Sequence, residues 1–260
     1  MSPKRSRPES PAAQLARLQR ENSDLQAMNA TKDEFIALVS HQLRTPATGV
    51  KQYLGMLLDG YMGQLTSAQK EFVQKAYDNN ERQISIVNDL LQVAQIDANQ
   101  VPLHAERCNV GALLRAVISE YRAVALNRRQ RLTLRGASQL VEVWADPLRL
   151  RMAIDNIVDN ASKYSEEHTT ITLTLQVRPG TVVISVADHG VGIAEENFAR
   201  LFQKFSRIDN PRSIMVGGSG LGLYLAKRII VAHGGDIVVT SVLGKGTTFT
   251  IELPSNMPKI

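Results

Sequence analysis

The chain has 260 residues, of which 43% are hydrophobic, which gives room for one or two domains with a real core. No apolar run approaches 18 residues and no signal-peptide core follows the start, so the sequence reads as soluble and cytoplasmic, without a transmembrane segment. A net charge of +5 raises nucleic-acid binding, but the basic residues are scattered, aromatics make up only 5%, and zinc-ligand spacing is missing, so no nucleic acid is expected as a partner. The single cysteine, Cys108, excludes an intramolecular disulfide framework and fits a reducing compartment.

Residues 1–12, with Pro3, Pro8 and Pro11 among charged and small residues, read as a disordered tail. From about Ala13 the pattern is helical. Leu15, Leu18 and Leu25 take seam positions with Asn22 and Asn29 as polar interruptions, giving a short coiled-coil arm within residues 1–30. The arm is too short for a sensor, which leaves a sensor region or a membrane sensor partner to lie outside these residues.

The helix is expected to continue to about Asp59. Ile36, Val39, Leu43, Val50, Leu54 and Leu57 form its apolar stripe. His41 is turned roughly 200° from Val39 and Leu43, away from the seam, and shares a face with Arg44 and Thr45. Pro46 removes the amide that would serve the carbonyl of Gln42, so a bend is expected just past the histidine. Gly60 reads as a C-cap and Thr66 as the cap of a second helix, whose stripe runs through Val73, Ala76, Asn80, Ile84, Val87, Leu91 and Ala94. Two such helices cannot bury both stripes by themselves. A homodimeric four-helix bundle over residues 31–99 is the natural solution.

A linker begins at Asn99–Pro102, and from there strands and helices alternate. Asn109 caps a helix to about Asn127, with short strands expected at Arg131–Leu134 and Val141–Trp144. Asp146-Pro147 starts the next helix. Thr170–Val177 alternates strictly, turns at Arg178-Pro179-Gly180, and returns as Val182–Ala187. A helix from about Leu221 to His233 and a hairpin of Asp236–Leu243 with Thr247–Leu253 complete residues 107–254. The fold class is therefore α+β, a helical hairpin followed by an α/β sandwich whose mixed sheet carries helices on one face.

Three clusters in this second half converge on one ligand. Asn156, Asn160, Lys163 and Tyr164 form a row on one helix, suited to a hydrated magnesium ion and the phosphates around it. Asp188, at a strand end beside Gly190 and Gly192, can accept from an exocyclic amine while backbone packs on a flat ring. Gly218, Ser219, Gly220, Leu221 and Gly222 open a helix whose amides suit phosphate. The loop lacks the Gly-Lys-Ser/Thr ending of a P-loop and the preceding strand of a dinucleotide fingerprint. Ser206–Val216, carrying Arg207 and Arg212, reads as a lid.

Ser40-His41-Gln42-Leu43-Arg44-Thr45-Pro46 resembles the phosphoacceptor box of two-component sensor histidine kinases. Asn156–Tyr164 is similar to their N box, Asp188–Gly192 and Gly218–Gly222 to two glycine boxes, Phe202–Phe205 to the F box and Gly244–Thr247 to the last box. The resemblance spans about residues 31 to 254 and implies a Bergerat-type ATP domain beside the dimeric bundle. It further implies that Asn160 holds Mg2+ with Asn156 in support, Lys163 reaches the phosphates, Asp188 reads adenine and Tyr164 lines the pocket. His41 would take the γ-phosphate of ATP and pass it to an aspartate of a response regulator receiver domain, and Thr45 would orient water in the reverse, phosphatase direction.

One position departs from the pattern. Where the family carries an acidic residue after the histidine, this chain has Gln42. A carboxamide oxygen fixes the ring tautomer but takes no proton, so slowed phosphorylation is expected. The same departure supports a second reading, an ATP-binding pseudokinase or scaffold that signals by conformation.

Overall fold

The computed structural model describes residues 11–97, 103–137, 140–208 and 218–255. Helix α1 (Pro11–Leu58) and helix α2 (Ser67–Asp97) form an antiparallel hairpin. Gly60 and Gly63 turn the chain between them with φ of +80° and +102°. Thr66 and Gln69 then cap α2 reciprocally: the Gln69 amide donates to Thr66 Oγ1 (3.3 Å), and the Thr66 amide to Gln69 Oε1 (2.9 Å). Pro46 does not end α1, which runs through it to Leu58.

The α/β sandwich expectation is met by strands β1 (Glu106–Asn109), β2 (Arg131–Arg135), β3 (Glu142–Ala145), β4 (Thr170–Arg178), β5 (Thr181–Ala187), β6 (Asp236–Val242) and β7 (Gly246–Pro254), with helices α3 (Val110–Asn127), α4 (Pro147–Tyr164) and α5 (Gly222–Ala232). The main sheet has the order β2-β4-β5-β7-β6 and is mixed, because β2 runs parallel to β4 while the other pairs are antiparallel. The sequence reading missed β1 and assigned β3 to no separate sheet. The two pair antiparallel as a small ribbon of their own, with Arg107 opposite Trp144.

Strand alternation sends Ile171, Leu173 and Leu175 of β4 inward, against Leu150, Ile154 and Ile157 of α4 and Leu225 and Ile229 of α5, all essentially inaccessible to water. Val93 of α2 joins the same core, with Leu90 and Ile96 packed at its edge. The helical hairpin and the sandwich therefore share apolar contact.

Two caps fix α4. Asp146 Oδ1 accepts from the Arg149 amide (3.1 Å), while the Asp146 amide donates to Nε2 of buried His233 (2.9 Å) at the far end of α5. The other ring nitrogen, Nδ1, faces the Ile229 carbonyl at 2.8 Å, so His233 is the neutral Nδ1–H tautomer. Burial holds its pKa below the ordinary histidine value.

Candidate active site

Between α2 and the sandwich lies a cleft of about 700 Å³. Its sandwich wall is built from Asn156, Asn160, Lys163 and Tyr164 of α4, Asp188 at the end of β5, Gly192, Arg207, and Gly218, Ser219, Gly220 and Gly222. Helical spacing accounts for the α4 row, since Asn156, Lys163 and Tyr164 lie four, three and four residues from Asn160. Lys163 Nζ is held by Asp159 at 2.5 Å, one turn back on the same helix.

Asp188 is buried, and its Oδ1 accepts from the amides of Gly190 (2.8 Å) and Thr247 (3.1 Å). Burial raises its pKa, and the two amide donors oppose that rise. Fixed through Oδ1, the carboxyl group keeps Oδ2 for a donor in the cleft. Two glycines make this placement sterically feasible. A Cβ on Gly190 would come within 2.3 Å of the Tyr164 carbonyl oxygen, and one on Gly246 (φ +112°) within 2.1 Å of the Asp188 carbonyl oxygen.

One end of the cleft is the start of α5. A Cβ on Gly222 would lie 2.9 Å from Asn156 Oδ1 and would force that carboxamide to shift. The Asn156 carboxamide thus packs directly against the helix N-terminus, where anions are favoured. Among the described residues no group of three or more His, Cys, Asp or Glu could hold a metal ion. The donor set fits magnesium that takes Asn160 plus phosphate and water oxygens, the usual economy for that ion.

His41 is exposed on α1. Thr45 Oγ1 donates to the His41 carbonyl (3.4 Å), one turn back. Arg44 turns out of the histidine's face, its Nε donating to Asn88 Oδ1 of α2 (2.9 Å). Seven residues on, Lys51 pairs with Glu81 of α2 at 2.6 Å. Stepping α1 forward by seven therefore steps α2 back by seven, which fixes the register and sets His41 level with Leu91. Asp89, in the cleft wall, lies only about 3 Å from that level along the axis.

His41, Gln42 and Thr45 lie on α1, outside the cleft, and the residues expected to bind nucleotide line it with three exceptions. Gly190 does not line it; it is buried under the Tyr164 carbonyl and acts by letting Asp188 sit where it does. Leu221 sends its side chain fully into the core, because it precedes the inward face of α5. Arg212 lies outside the described residues.

What the sequence reading did not anticipate is the opposite wall, formed by Asp78, Glu81, Arg82, Ser85, Ile86 and Asp89 of α2. Ser219 Oγ donates to Asp89 Oδ2 (2.7 Å). Eight residues further, Asp97 accepts from Tyr224 Oη (2.5 Å) and pairs with Lys204 and Arg228. The signal was present as a row of charges on the face of α2 away from its stripe, which by itself is the usual pattern of a solvated helix.

Two family matches cover most of the chain: residues 31–99 match the His Kinase A (phospho-acceptor) domain, and residues 145–257 the histidine kinase-, DNA gyrase B-, and HSP90-like ATPase. The chain is 36% identical over 231 residues to the circadian input-output histidine kinase CikA of Synechococcus elongatus, covering 88% of this chain and 31% of that protein. It is 34% identical over 235 residues to the sensor histidine kinase WalK of Bacillus subtilis, covering 89% of this chain and 38% of the relative. The chain thus spans less than two fifths of the length of these relatives. Among solved structures, full-length ShkA in complex with AMPPNP superimposes with a TM-score of 0.70 at 32% identity, over 87% of this chain and 47% of that one. The Acinetobacter baumannii histidine kinase AdeS gives a TM-score of 0.58 at 25% identity, over 84% of this chain and 98% of that one.

Proposed function

From the premise that the chain belongs to the sensor histidine kinases of two-component systems, we propose that it is an ATP-dependent protein histidine kinase that phosphorylates His41 and passes the phosphoryl group to an aspartate of a response regulator receiver domain. The observation that carries this reading is the register of the hairpin, which brings the cleft wall at Asp89 level with His41.

In this reading residues 31–99 dimerise and carry the phosphoacceptor, and residues 107–254 bind ATP. Asp188 receives the adenine amine, and Tyr164 and Gly192 border the base. Lys163, Arg207 and the start of α5 hold the phosphates. Asn160, with Asn156 beside it, would hold Mg2+, whose contribution is to neutralise charge on the phosphate oxygens. A ring nitrogen of His41 forms the N–P bond as the bond to the ADP leaving oxygen breaks, and the ring proton is released. Gln42 orients the ring without accepting that proton. Thr45 serves the reverse reaction by orienting water towards the phosphorylated regulator.

No helix among the described residues is long and apolar enough to cross a membrane, which is compatible with action in the cytoplasm. Leu43 and Val50 are 50% and 46% exposed in the single chain, and the homodimer would cover them.

The test is incubation of the full chain with γ-labelled ATP and magnesium, followed by mapping of acid-labile phosphate. Wild type is expected to carry it on His41, while His41→Ala binds ATP without labelling and Asn160→Ala loses magnesium-dependent labelling. Acid-labile phosphate on His41→Ala, or an ATP-binding wild type that never labels, would refute the kinase reading.

A further inference from the structure

The contact between Asp89 and Ser219 joins the phosphoacceptor hairpin to the loop that opens α5. Ser219 Oγ donates to Asp89 Oδ2 (2.7 Å) and at the same time accepts from the Leu221 amide (3.2 Å), at the N-cap of that helix. A carboxylate is thus coupled through one hydroxyl to the start of a helix, where the partial positive charge of the backbone favours anions. Burial pushes the Asp89 carboxyl group up from the ordinary carboxylate range, with Asp159 adding to the rise, while the hydrogen bond from Ser219 and the charge of Lys163 favour the ionised form.

Ser219, the start of α5 and Lys163 are the groups that the cleft offers to phosphate. Asp89 is in contact with the first, coupled to the second and within electrostatic range of the third. We propose that Asp89 is an intramolecular competitor for the phosphates of ATP. Its carboxylate holds the glycine loop against α2, and its charge opposes the incoming anion until the loop lets go.

Elsewhere on the α2 wall the charges balance, since Arg82 stands beside Asp78 and Glu81 is paired with Lys51, so the effect rests on Asp89. Further along, Asp97 takes Tyr224, Lys204 and Arg228, and Val93 is buried between these two polar contacts. The sandwich is thereby docked on the hairpin through a surface whose upper end carries a charge of the same sign as the substrate's phosphates. Binding of the nucleotide and release of this contact are then linked: whatever pulls Asp89 from the loop raises the affinity for the triphosphate, and the triphosphate favours release.

The inference rests on the reading of the cleft as the ATP site, and the experiment separates the two. Asp89→Asn keeps an oxygen that accepts from Ser219 and removes the charge. The full chain and this variant are titrated with AMPPNP and with adenosine. The variant is expected to bind AMPPNP about fivefold more tightly, the effect of one unit charge near a helix N-terminus, and to bind adenosine as wild type does. Equal or weaker AMPPNP binding by the variant overturns the inference, as does a parallel change in both ligands, which would mark a general loosening of the domain. If neither protein binds AMPPNP, the cleft is not the nucleotide site and both readings fall.

Discussion

Gly190→Ala tests whether backbone proximity, and not merely side-chain chemistry, places Asp188. An added Cβ would lie 2.3 Å from the Tyr164 carbonyl oxygen and 2.7 Å from its carbon, both backbone atoms that cannot rotate aside. Restoring ordinary contact requires the end of α4 and the segment after β5 to part by about 1 Å, an overpacking that typically costs about 1–3 kcal/mol. The same movement strains the bridge between Ser165 and Gly190 and the bond from the Val191 amide to the Tyr164 oxygen (3.4 Å). With about 1 kcal/mol for that hydrogen bond, the total is about 2–4 kcal/mol. Gly180→Ala is the control. It has φ of +75° with open space around it, so it carries only the left-handed backbone cost of about 1 kcal/mol. Urea unfolding followed through Trp144, the sole tryptophan and part of β3, reads the sandwich directly. ATP affinity is measured alongside and should fall in Gly190→Ala only. If the two substitutions cost the same, or Gly190→Ala binds ATP as wild type does, the close approach is not what positions Asp188.

Gln42→Glu is expected to raise the initial phosphorylation rate by up to about 10²-fold, the lower range for a general base; no gain at any pH from about 6 to 8.5 would mean that glutamine already suffices by orienting the ring. Because the folded-state pKa of Asp188 is raised by burial, wild type loses stability as pH rises from the ordinary carboxylate value through the folded one. Asp188→Asn should lack that loss, and equal pH dependence of melting in the two proteins would contradict it. His233 has the opposite sign: its pKa is lowered by burial, so its contribution is complete above the unfolded value near 6.5 and is lost as pH falls through the folded one. Replacing it with glutamine should flatten the melting curve in that window, and an unchanged profile would count against the buried neutral ring. Sedimentation should show a dimer for the full chain, weakened by Leu43→Asp with Val50→Asp; a wild-type monomer would remove the four-helix bundle.

The elements with strong local signals were legible in advance. Thr170–Val177 alternates over a whole strand, and Asp146-Pro147 states a helix start in two residues, so both were placed within a residue or two of where they lie. β1 was not legible, because Glu106–Asn109 is four residues long and only Cys108 is buried; its existence depends on pairing with β3. At the site, side chains that line the cleft could be named from type and spacing, as with Asn160 and Asp188. Gly190 and Leu221 could not be placed that way, and neither lines the cleft. Whether a glycine touches ligand or merely makes room, and whether a loop residue points to the cleft or the core, depends on chain segments distant in sequence.

The same limit explains α2, and it bears on mechanism. One face of that helix carries Asn80, Ile84, Val87, Leu91 and Ala94, the stripe that a bundle needs. Asp78, Arg82, Ser85 and Asp89, at steps of four, three and four, form another face, and the sandwich occupies it. A single helix is thus a partner of α1 in the hairpin on one side and a wall of the cleft on the other. Since the antiparallel register sets His41 level with Leu91, the distance left between cleft and histidine is across the bundle and not along it. On the proposed kinase reading, transfer would require the sandwich to move about α2, and the contacts that such a movement would break are Asp89 with Ser219 and Asp97 with Tyr224, Lys204 and Arg228. Both carboxylates lie on the hairpin and their partners on the sandwich. A change in the twist of α2 would therefore reach the glycine loop through these polar contacts as well as through Val93 in the core.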